Sequence, residues 1–185
     1  MEKAITKKIE TKNLILRKAK LNDAAELFLN VGRDNKVSKY TVWNKYDDVK
    51  VAENLIEKWV REYKDYNKFR WVVILKETNT LIGTITSVNC DKTNNTVEIG
   101  YAYGSLWWNK GYATEALRAV INYLFEETPV ETIYAQFIPT NIGSGKVMEK
   151  VGMKHEGTLR NRLIDKNTNK YANLESYSII REDYK

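Results

Sequence analysis

The chain has 185 residues, of which 43% are hydrophobic, so it can bury a core without help from disulfides or metal ions. We expect one domain over residues 1–185 and no metal site. Cys90 is the only cysteine and His155 the only histidine. This excludes a disulfide framework, a Cys/His zinc site and a Ser-His-Asp or Cys-His catalytic unit, and we expect Cys90 in the core and His155 on the surface.

The net charge of +6 is spread along the chain, as on a solvated surface, although it also suits an anionic cofactor or a nucleic-acid neighbour. No run approaches the roughly 18 apolar residues that a membrane span needs. No apolar signal core follows the charges at the N terminus. We therefore expect a cytoplasmic chain that does not bind membranes.

The first third of the chain predicts a strand and two helices. Residues 14–17 form a short apolar strand, and a helix with an Asn or Asp cap covers about 22–31. A loop rich in aromatic residues follows. Apolar residues then recur at helical spacing from Val51, which predicts a second helix that ends in the region of residues 66–67.

The middle of the chain predicts a sheet and then a long helix. Residues 69–76, 81–90 and 97–103 predict a three-strand antiparallel meander, joined by turns rich in Thr and Asn. From Lys110 the apolar period changes to about 3.6 residues, which predicts a helix to about Phe125.

The last part of the chain alternates strand and helix before a final hairpin. Residues 132–138 predict a strand, and Asn141 is placed to cap a short helix whose left-handed C-terminal residue is Gly152. Residues 157–164 and 171–180 predict two further strands. In total the chain predicts seven strands and four helices in an α+β fold.

Two segments carry most of the functional signal. Residues 107–116, WWNKGYATEA, place a glycine and small residues before an amphipathic helix. Backbone amides and the positive end of the helix dipole would face an anion there, which predicts a phosphate-binding loop. Residues 141–153, NIGSGKVMEKVGM, open the next helix after one intervening strand.

In this order the two segments resemble the GNAT superfamily of acetyl-CoA-dependent N-acetyltransferases, over nearly the whole chain. Residues 98–101, the 107–116 loop and residues 149–160 further resemble the Rim branch, which includes enzymes that acetylate the α-amino group of ribosomal proteins. Other members acetylate free amines, aminoglycosides, polyamines and amino acids. The resemblance implies a twisted, mostly antiparallel seven-stranded sheet flanked by about four helices and splayed between its fourth and fifth strands.

The resemblance also implies an acetyl-CoA site. Trp108 replaces the usual Gln or Arg at the start of the loop, but Gly111 and Ala113 keep the backbone open to a pyrophosphate. Asn141 would hydrogen-bond the pantetheine arm, and the main chain of residues 99–104 would bind the thioester and pantetheine amides where that strand splays from its neighbour. The implied cofactor-binding residues are Tyr101, Ala102, Tyr103, Asn109, Lys110, Gly111, Tyr112, Ala113, Thr114, Asn141, Ser144 and Lys146.

Two residues are predicted to be catalytic. Many GNAT enzymes protonate the departing thiolate with a tyrosine seven residues after the asparagine, where this chain has Met148. Ser144 matches a serine of some Rim-type enzymes, so it is our candidate for hydrogen-bonding or protonating the thiolate, with a structural role as the alternative. Glu98 is our candidate for the general base, unless strand alternation turns it to solvent. Glu156 and Glu175 are weaker candidates for the base.

By family analogy, the acceptor groove lies between the first two helices and the last pair of strands. Its candidate wall residues are Tyr40, Trp43, Tyr46, Tyr171 and Tyr177. Packing at the edge of the core explains each of these aromatic residues equally well. Aromatic walls suit both a protein N terminus and a small amine, so the sequence does not separate the two acceptors.

We therefore expect an N-acetyltransferase that moves acetyl from acetyl-CoA to a primary amine, either the α-amine of a protein or a small molecule. Two other classes stay open. Met148 in place of tyrosine suggests a degenerate acyl-CoA-binding protein. A basic nucleic-acid-binding domain would show steep salt dependence, but we expect no direct contact with nucleic acid. A monomer and a homodimer fit the sequence equally well.

Overall fold

A computed structural model describes residues 5–65 and 68–184. Within these ranges, eight strands form one sheet in the order β1-β2-β3-β4-β5-β6-β8-β7. All neighbours are antiparallel except β5 and β6. The strands are β1 (Ile9–Glu10), β2 (Leu14–Arg17), β3 (Arg70–Leu75), β4 (Thr80–Asp91), β5 (Thr96–Tyr103), β6 (Thr132–Phe137), β7 (Lys154–Asp165) and β8 (Lys170–Ile180).

Six α-helices accompany the sheet in the described part of the chain, none of them long and apolar enough to span a membrane. They are α1 (Ala24–Leu27), α2 (Asn35–Ser38), α3 (Val49–Glu62), α4 (Tyr112–Glu127), α5 (Ile142–Lys150) and α6 (Arg181–Tyr184). A 3₁₀ turn at Leu21–Asp23 and a π turn at Phe28–Gly32 extend α1, so helical backbone covers the predicted range of 22–31.

The α+β fold and the element order are confirmed, but the predicted counts of seven strands and four helices are too low. The extra strand is β1, which has two residues and pairs through Ile9 with Leu16 of β2. The extra helices, α2 and α6, have four residues each. Elements this short are not long enough to show a period in the spacing of their apolar residues. Helix α3 ends at Glu62, and the predicted end at Tyr66 and Asn67 lies outside the described residues.

The parallel strands β5 and β6 separate after three residue pairs. Their register runs from Thr96 opposite Thr132 to Glu98 opposite Tyr134 and ends there. Beyond this point β6 stays paired with β8, and β5 stays paired with β4. The sheet therefore opens between Ile99–Tyr103 and the end of β6, which confirms the predicted splay.

Apolar side chains are buried on both faces of the central strand β3. In β3, Trp71 and Val73 pack on the side of α4 and α5, whereas Val72 and Ile74 pack on the side of α1 and α3. Burial on both faces explains why Arg70–Leu75 is a continuous apolar run rather than an alternating one. Both helical layers are thus fixed against the strands that open into the splay.

Helix α5 lies against the end of β6 because Gly145 has no side chain. A Cβ on this buried glycine would stand 2.7 Å from the ring of Phe137. Gly143, in the same helix, would place its Cβ no closer than 3.8 Å to any neighbour, the Oδ1 of Asn141. Packing therefore requires a glycine at position 145 but not at position 143.

We expect Gly145→Ala to lower the free energy of unfolding by about 1–3 kcal/mol, since the methyl group overpacks the contact with Phe137. Gly143→Ala should leave it unchanged or raise it by up to about 1 kcal/mol, through helix propensity. Urea unfolding followed by tryptophan fluorescence measures both. Equal changes in the two variants would contradict the close approach at Gly145.

Glu115, in the first turn of α4, ties that helix to the turn between β1 and β2. Its carboxylate accepts hydrogen bonds from the Thr11 hydroxyl at 2.6 Å and from the backbone and side-chain amides of Asn13 at 2.8 Å. Burial alone would raise the pKa of Glu115, but these hydrogen bonds bring it below its ordinary value. The negative charge also suits the positive end of the helix.

Glu115→Gln should lower the free energy of unfolding by about 1.5 kcal/mol or more at neutral pH, because hydrogen bonds to a charged group are lost. The pKa of Glu115 is depressed in the folded protein, so its charge stabilises the fold above the ordinary glutamate value of about 4.3. That contribution disappears as the pH falls through the folded value.

The difference in the free energy of unfolding between the wild type and Glu115→Gln should therefore be largest at pH 7 and disappear in acid. Urea unfolding across this pH range tests it. The exposed Glu53 of α3 offers a control substitution, Glu53→Gln. A difference that is independent of pH would rule out the charge as its cause.

Candidate active site

A cavity of about 630 Å³ occupies the opening between β5 and β6 and continues toward α3 and the β7–β8 turn. The structure brings together on its wall the predicted site residues Glu98, Tyr101, Ala102, Asn141 and Ser144. It also brings there the predicted acceptor-side residues Tyr40, Trp43 and Tyr46. The remaining predicted positions, Tyr103, Asn109, Lys110, Gly111, Tyr112, Ala113, Thr114, Lys146, Tyr171 and Tyr177, lie outside this wall.

The loop before α4 presents backbone amides to an open space. Asn109 and Gly111 both adopt left-handed backbone conformations, with φ of 60° and 83°. The first helical hydrogen bond runs from the Glu115 amide to the Gly111 carbonyl at 2.9 Å, so the amides of Tyr112, Ala113 and Thr114 have no acceptor within the helix.

A phosphate group fits the amides of this loop. Nothing lies within 4 Å of the position that a Cβ on Gly111 would take, and Gly111 caps α4 without a side-chain hydrogen bond. The free amides and the helix dipole both favour an anion at this point. The loop can therefore hold the pyrophosphate that the resemblance implies.

Trp108 is half-buried and anchors the loop to the end of β5. Its indole N–H donates to the Tyr103 carbonyl at 2.7 Å, and its ring lies 6.5 Å from the ring of Tyr40. It packs against the core on both faces of the sheet. This role was not predicted, although a large apolar side chain at a polar position of the motif indicates that the position is packed.

Asn141 caps α5 as predicted. Its side-chain oxygen accepts a hydrogen bond from the Ser144 amide at 3.4 Å, and Gly152, after the helix, has the predicted left-handed conformation with φ of 91°. Because Asn141 also lines the cavity, capping leaves it in place to face a ligand.

Ser144 and Tyr101 are joined by two short contacts. The Tyr101 hydroxyl lies 2.9 Å from the Ser144 hydroxyl and 3.0 Å from the Ser144 carbonyl oxygen. A carbonyl only accepts, so in this arrangement Tyr101 donates to it and the Ser144 hydroxyl donates to Tyr101. Burial raises the pKa of Tyr101 well above its ordinary value.

Met148, where many GNAT enzymes carry a tyrosine, is 1% exposed and lines the same cavity. Its thioether has no proton to transfer. The tyrosine hydroxyl that contacts Ser144 is instead that of Tyr101, which lies on β5, whereas Met148 lies on α5. Sequence reasoning placed Tyr101 and Ser144 in the site separately and did not predict their contact.

Glu98 lines the cavity and is half-buried, so strand alternation does not turn it fully to solvent. Burial raises the pKa of Glu98, an effect that a hydrogen bond from Tyr134 partly offsets. A bulge in β4 lies opposite, where the register shifts between Ser87 and Asn89. Bulges of this kind are common beside active sites.

The weaker candidates for the base have other partners. Glu156 accepts from the Ser178 hydroxyl at 2.5 Å. Glu175 lies 2.7 Å from His155, which is exposed as predicted. Both glutamates lie on the β7–β8 hairpin, outside the cavity wall. Cys90 is half-buried at the edge of the core, where burial raises its pKa.

The turn between β7 and β8 closes one side of the cavity. The Lys166 ammonium donates to the Trp43 carbonyl, and the Asn167 side-chain amide donates to the Lys39 carbonyl at 2.9 Å. The rings of Trp43 and Tyr46 lie 5.1 Å apart behind this contact. Charged side chains on the wall are mostly basic: Lys39, Lys58, Arg70 and Lys166, against Glu98 and Asp165.

Two predicted acceptor-side residues lie elsewhere. Tyr171 is 70% exposed, and the Tyr177 hydroxyl contacts Glu149 at 3.1 Å. Both belong to β8, but they lie outside the cavity wall. The aromatic part of the acceptor side is therefore built by the segment between α2 and α3, together with Trp59 of α3.

Known proteins share this architecture. The acetyltransferase (GNAT) domain matches residues 13–154. An uncharacterized N-acetyltransferase, p20, of Bacillus licheniformis is 30% identical over 174 residues, which cover 94% of this chain and 96% of that protein. The crystal structure of a GNAT-family acetyltransferase from Bacillus anthracis superposes with a TM-score of 0.83 at 28% identity, over 95% of this chain and 99% of that chain.

RimL, a ribosomal L7/L12 alpha-N-protein acetyltransferase solved in complex with coenzyme A, superposes with a TM-score of 0.85 over 94% of this chain and 98% of its own. At 15% identity this likeness shows the fold alone. With the splayed sheet, the amide-rich loop and the family match together, the chain belongs to the GNAT acetyltransferases and is an N-acetyltransferase.

Proposed function

We propose that this protein transfers the acetyl group of acetyl-CoA to a primary amine by direct attack. The observation that carries the proposal is the opening between β5 and β6. It joins the segment with Asn141 and Ser144 to a half-buried carboxylate, Glu98, within one cavity. RimL, which shares the fold, holds coenzyme A.

The chain divides the binding of acetyl-CoA between three segments. The amides of the loop before α4, with Lys110 beside them, would hold the phosphates. The free edge of β5 at Tyr101, Ala102 and Tyr103 would hydrogen-bond the pantetheine amides and the thioester. Asn141 would bind the arm, and the exposed Lys146 would add positive charge beside it.

Glu98 would accept the proton of the attacking amine. Its raised pKa makes it a better proton acceptor than an exposed glutamate, but it remains a weak base. An α-amine titrates at about 7.7–8.0 and is partly free at neutral pH, whereas an alkyl amine of the lysine type titrates at about 10.4. A weak base therefore suits an α-amine.

The basic cavity wall points to the same class of acceptor. The wall carries four basic side chains against two acidic ones, and Arg70 is also paired with Glu62 at 3.3 Å. The remaining positive charge would oppose a polyamine or an aminoglycoside, which carries several positive charges. The α-amine of a peptide or protein carries one. The closed side at the β7–β8 turn also suits a small α-amine, such as an amino acid, which makes the small-molecule acceptor the second candidate.

We expect acetyl-CoA to bind with micromolar affinity in calorimetry, far more tightly than ATP. Gly111→Ala should weaken acetyl-CoA binding about tenfold or more, because its methyl group enters the space before the free amides. Gly152→Ala is the matched control, since Gly152 has a similar φ of 91° and a Cβ there would lie no closer than 3.9 Å to a neighbour, the Cδ1 of Ile179. Equal loss of binding in both variants, or no binding in the wild type, would contradict the proposed cofactor site.

Among acceptors, we expect peptides with a free α-amine to be acetylated faster than spermidine or an aminoglycoside, as measured by thiol release. Glu98→Gln should lower kcat by about 10²- to 10⁴-fold with acetyl-CoA affinity kept. Preferred turnover of the polycationic amines would overturn the assignment to α-amines. Tight acetyl-CoA binding without turnover of any amine would favour the degenerate acyl-CoA-binding protein.

A further inference from the structure

We propose that the hydroxyls of Tyr101 and Ser144 form a hydrogen-bonded chain that stabilises the departing CoA sulfur as a thiolate anion, with no acid that protonates it. The inference rests on the proposed acetyl transfer and adds a role for Tyr101. Ser144 would touch the sulfur, and Tyr101 would act through Ser144 as a positioning residue.

The two contacts of Tyr101 define how the chain can switch. Without an anion nearby, the Ser144 hydroxyl donates to Tyr101, which in turn donates to the Ser144 carbonyl at 3.0 Å. With a thiolate beside Ser144, the serine hydroxyl turns to the sulfur, and Tyr101 donates to the serine oxygen at 2.9 Å. Hydrogen bonds in series polarise one another, so Tyr101 makes Ser144 a stronger donor.

Tyr101 is suited to donate a hydrogen bond but not to give up its proton. A thiol of the cysteine type titrates at about 8.5 and a free tyrosine at about 10. Burial raises the pKa of Tyr101 further, so transfer of its proton to a thiolate runs uphill. The position from which a family tyrosine acts holds Met148, which is buried and carries no proton to give.

The proton balance of the reaction does not need an acid at the sulfur. The amine nitrogen attacks the thioester carbon, a C–N bond forms, and the C–S bond breaks with its electron pair left on sulfur. The proton lost by the amine goes to Glu98 and from there to water. The sulfur leaves as a thiolate and takes a proton only from solvent.

The charged groups on the elements around the pair have other partners or lie at a distance. Glu115 of α4 is held by Thr11 and Asn13. Glu149 of α5 contacts Tyr177, and Lys146 of α5 is exposed. On β5 itself, Glu98 lies three residues before Tyr101. Among the described residues, the hydrogen bonds of the Tyr101 hydroxyl are those to Ser144.

The test is a titration of the thiol of bound CoA, followed by the ultraviolet absorbance of the thiolate. In the wild-type complex, we expect the thiol pKa to lie at least about one unit below that of free CoA. Ser144→Ala should restore the free value, and Tyr101→Phe should restore about half of the shift. Calorimetry with CoA, run first on every variant, shows whether each complex forms.

Tyr123→Phe is the control for Tyr101→Phe. Tyr123 lies on α4, is 8% exposed, and its hydroxyl donates to the Ile5 carbonyl, away from the cavity wall. Loss of its hydroxyl should leave the thiol pKa of bound CoA at the wild-type value. An equal change in Tyr101→Phe and Tyr123→Phe would overturn the role of the Tyr101–Ser144 contact.

The thiol pKa of bound CoA separates the two mechanisms. An acid that protonates the sulfur needs no lowered thiol pKa, whereas a thiolate-stabilising chain lowers it, because its hydrogen bonds favour the charged form. CoA binding with an unshifted thiol pKa would overturn the inference and leave acetyl transfer intact. A wild type that binds no CoA would overturn the proposed function, and the inference with it.

Discussion

The whole site depends on the separation of two parallel strands. Strands β5 and β6 share three residue pairs and then diverge, since β6 follows β8 while β5 follows β4. If these two strands stayed paired, β5 would have no free edge and there would be no cavity between β5 and β6. The divergence creates both, and it leaves α4 and α5 to start on either side of the opening.

Small residues and anchoring contacts then set how far the opening extends. Gly145 lets α5 approach Phe137, which keeps Ser144 within reach of Tyr101 across the gap. Trp108 holds the loop before α4 to the end of β5, and Glu115 holds the helix start to the β1–β2 turn. The free amides of the loop are therefore carried by well-packed elements.

Much of this architecture could be predicted from the sequence because its signals are local. The apolar period of α4, the asparagine cap of α5 and the alternation of strand and helix each lie within one segment. Two-residue β1 and four-residue α2 and α6 could not be predicted, since elements so short show no period. Their existence depends on tertiary contacts.

The contacts between segments were also beyond the sequence. Tyr101 and Ser144 are 43 residues apart, and nothing in either segment indicates the other. Tyr171 and Tyr177 were predicted at the acceptor side from family analogy, and both lie outside the cavity wall. Trp108 was treated as a departure from a motif, because a motif describes which residues recur and not what an unusual residue packs against.

The contact that closes the acceptor side has a consequence for how this protein can change over evolution. Lys166 and Asn167 both donate to main-chain carbonyls, those of Trp43 and Lys39. Any residue type at positions 39 and 43 has a main-chain carbonyl that can accept these hydrogen bonds. The turn can therefore stay docked while the side chains of the facing segment are exchanged, so acceptor preference can drift without loss of the wall that shapes the cavity.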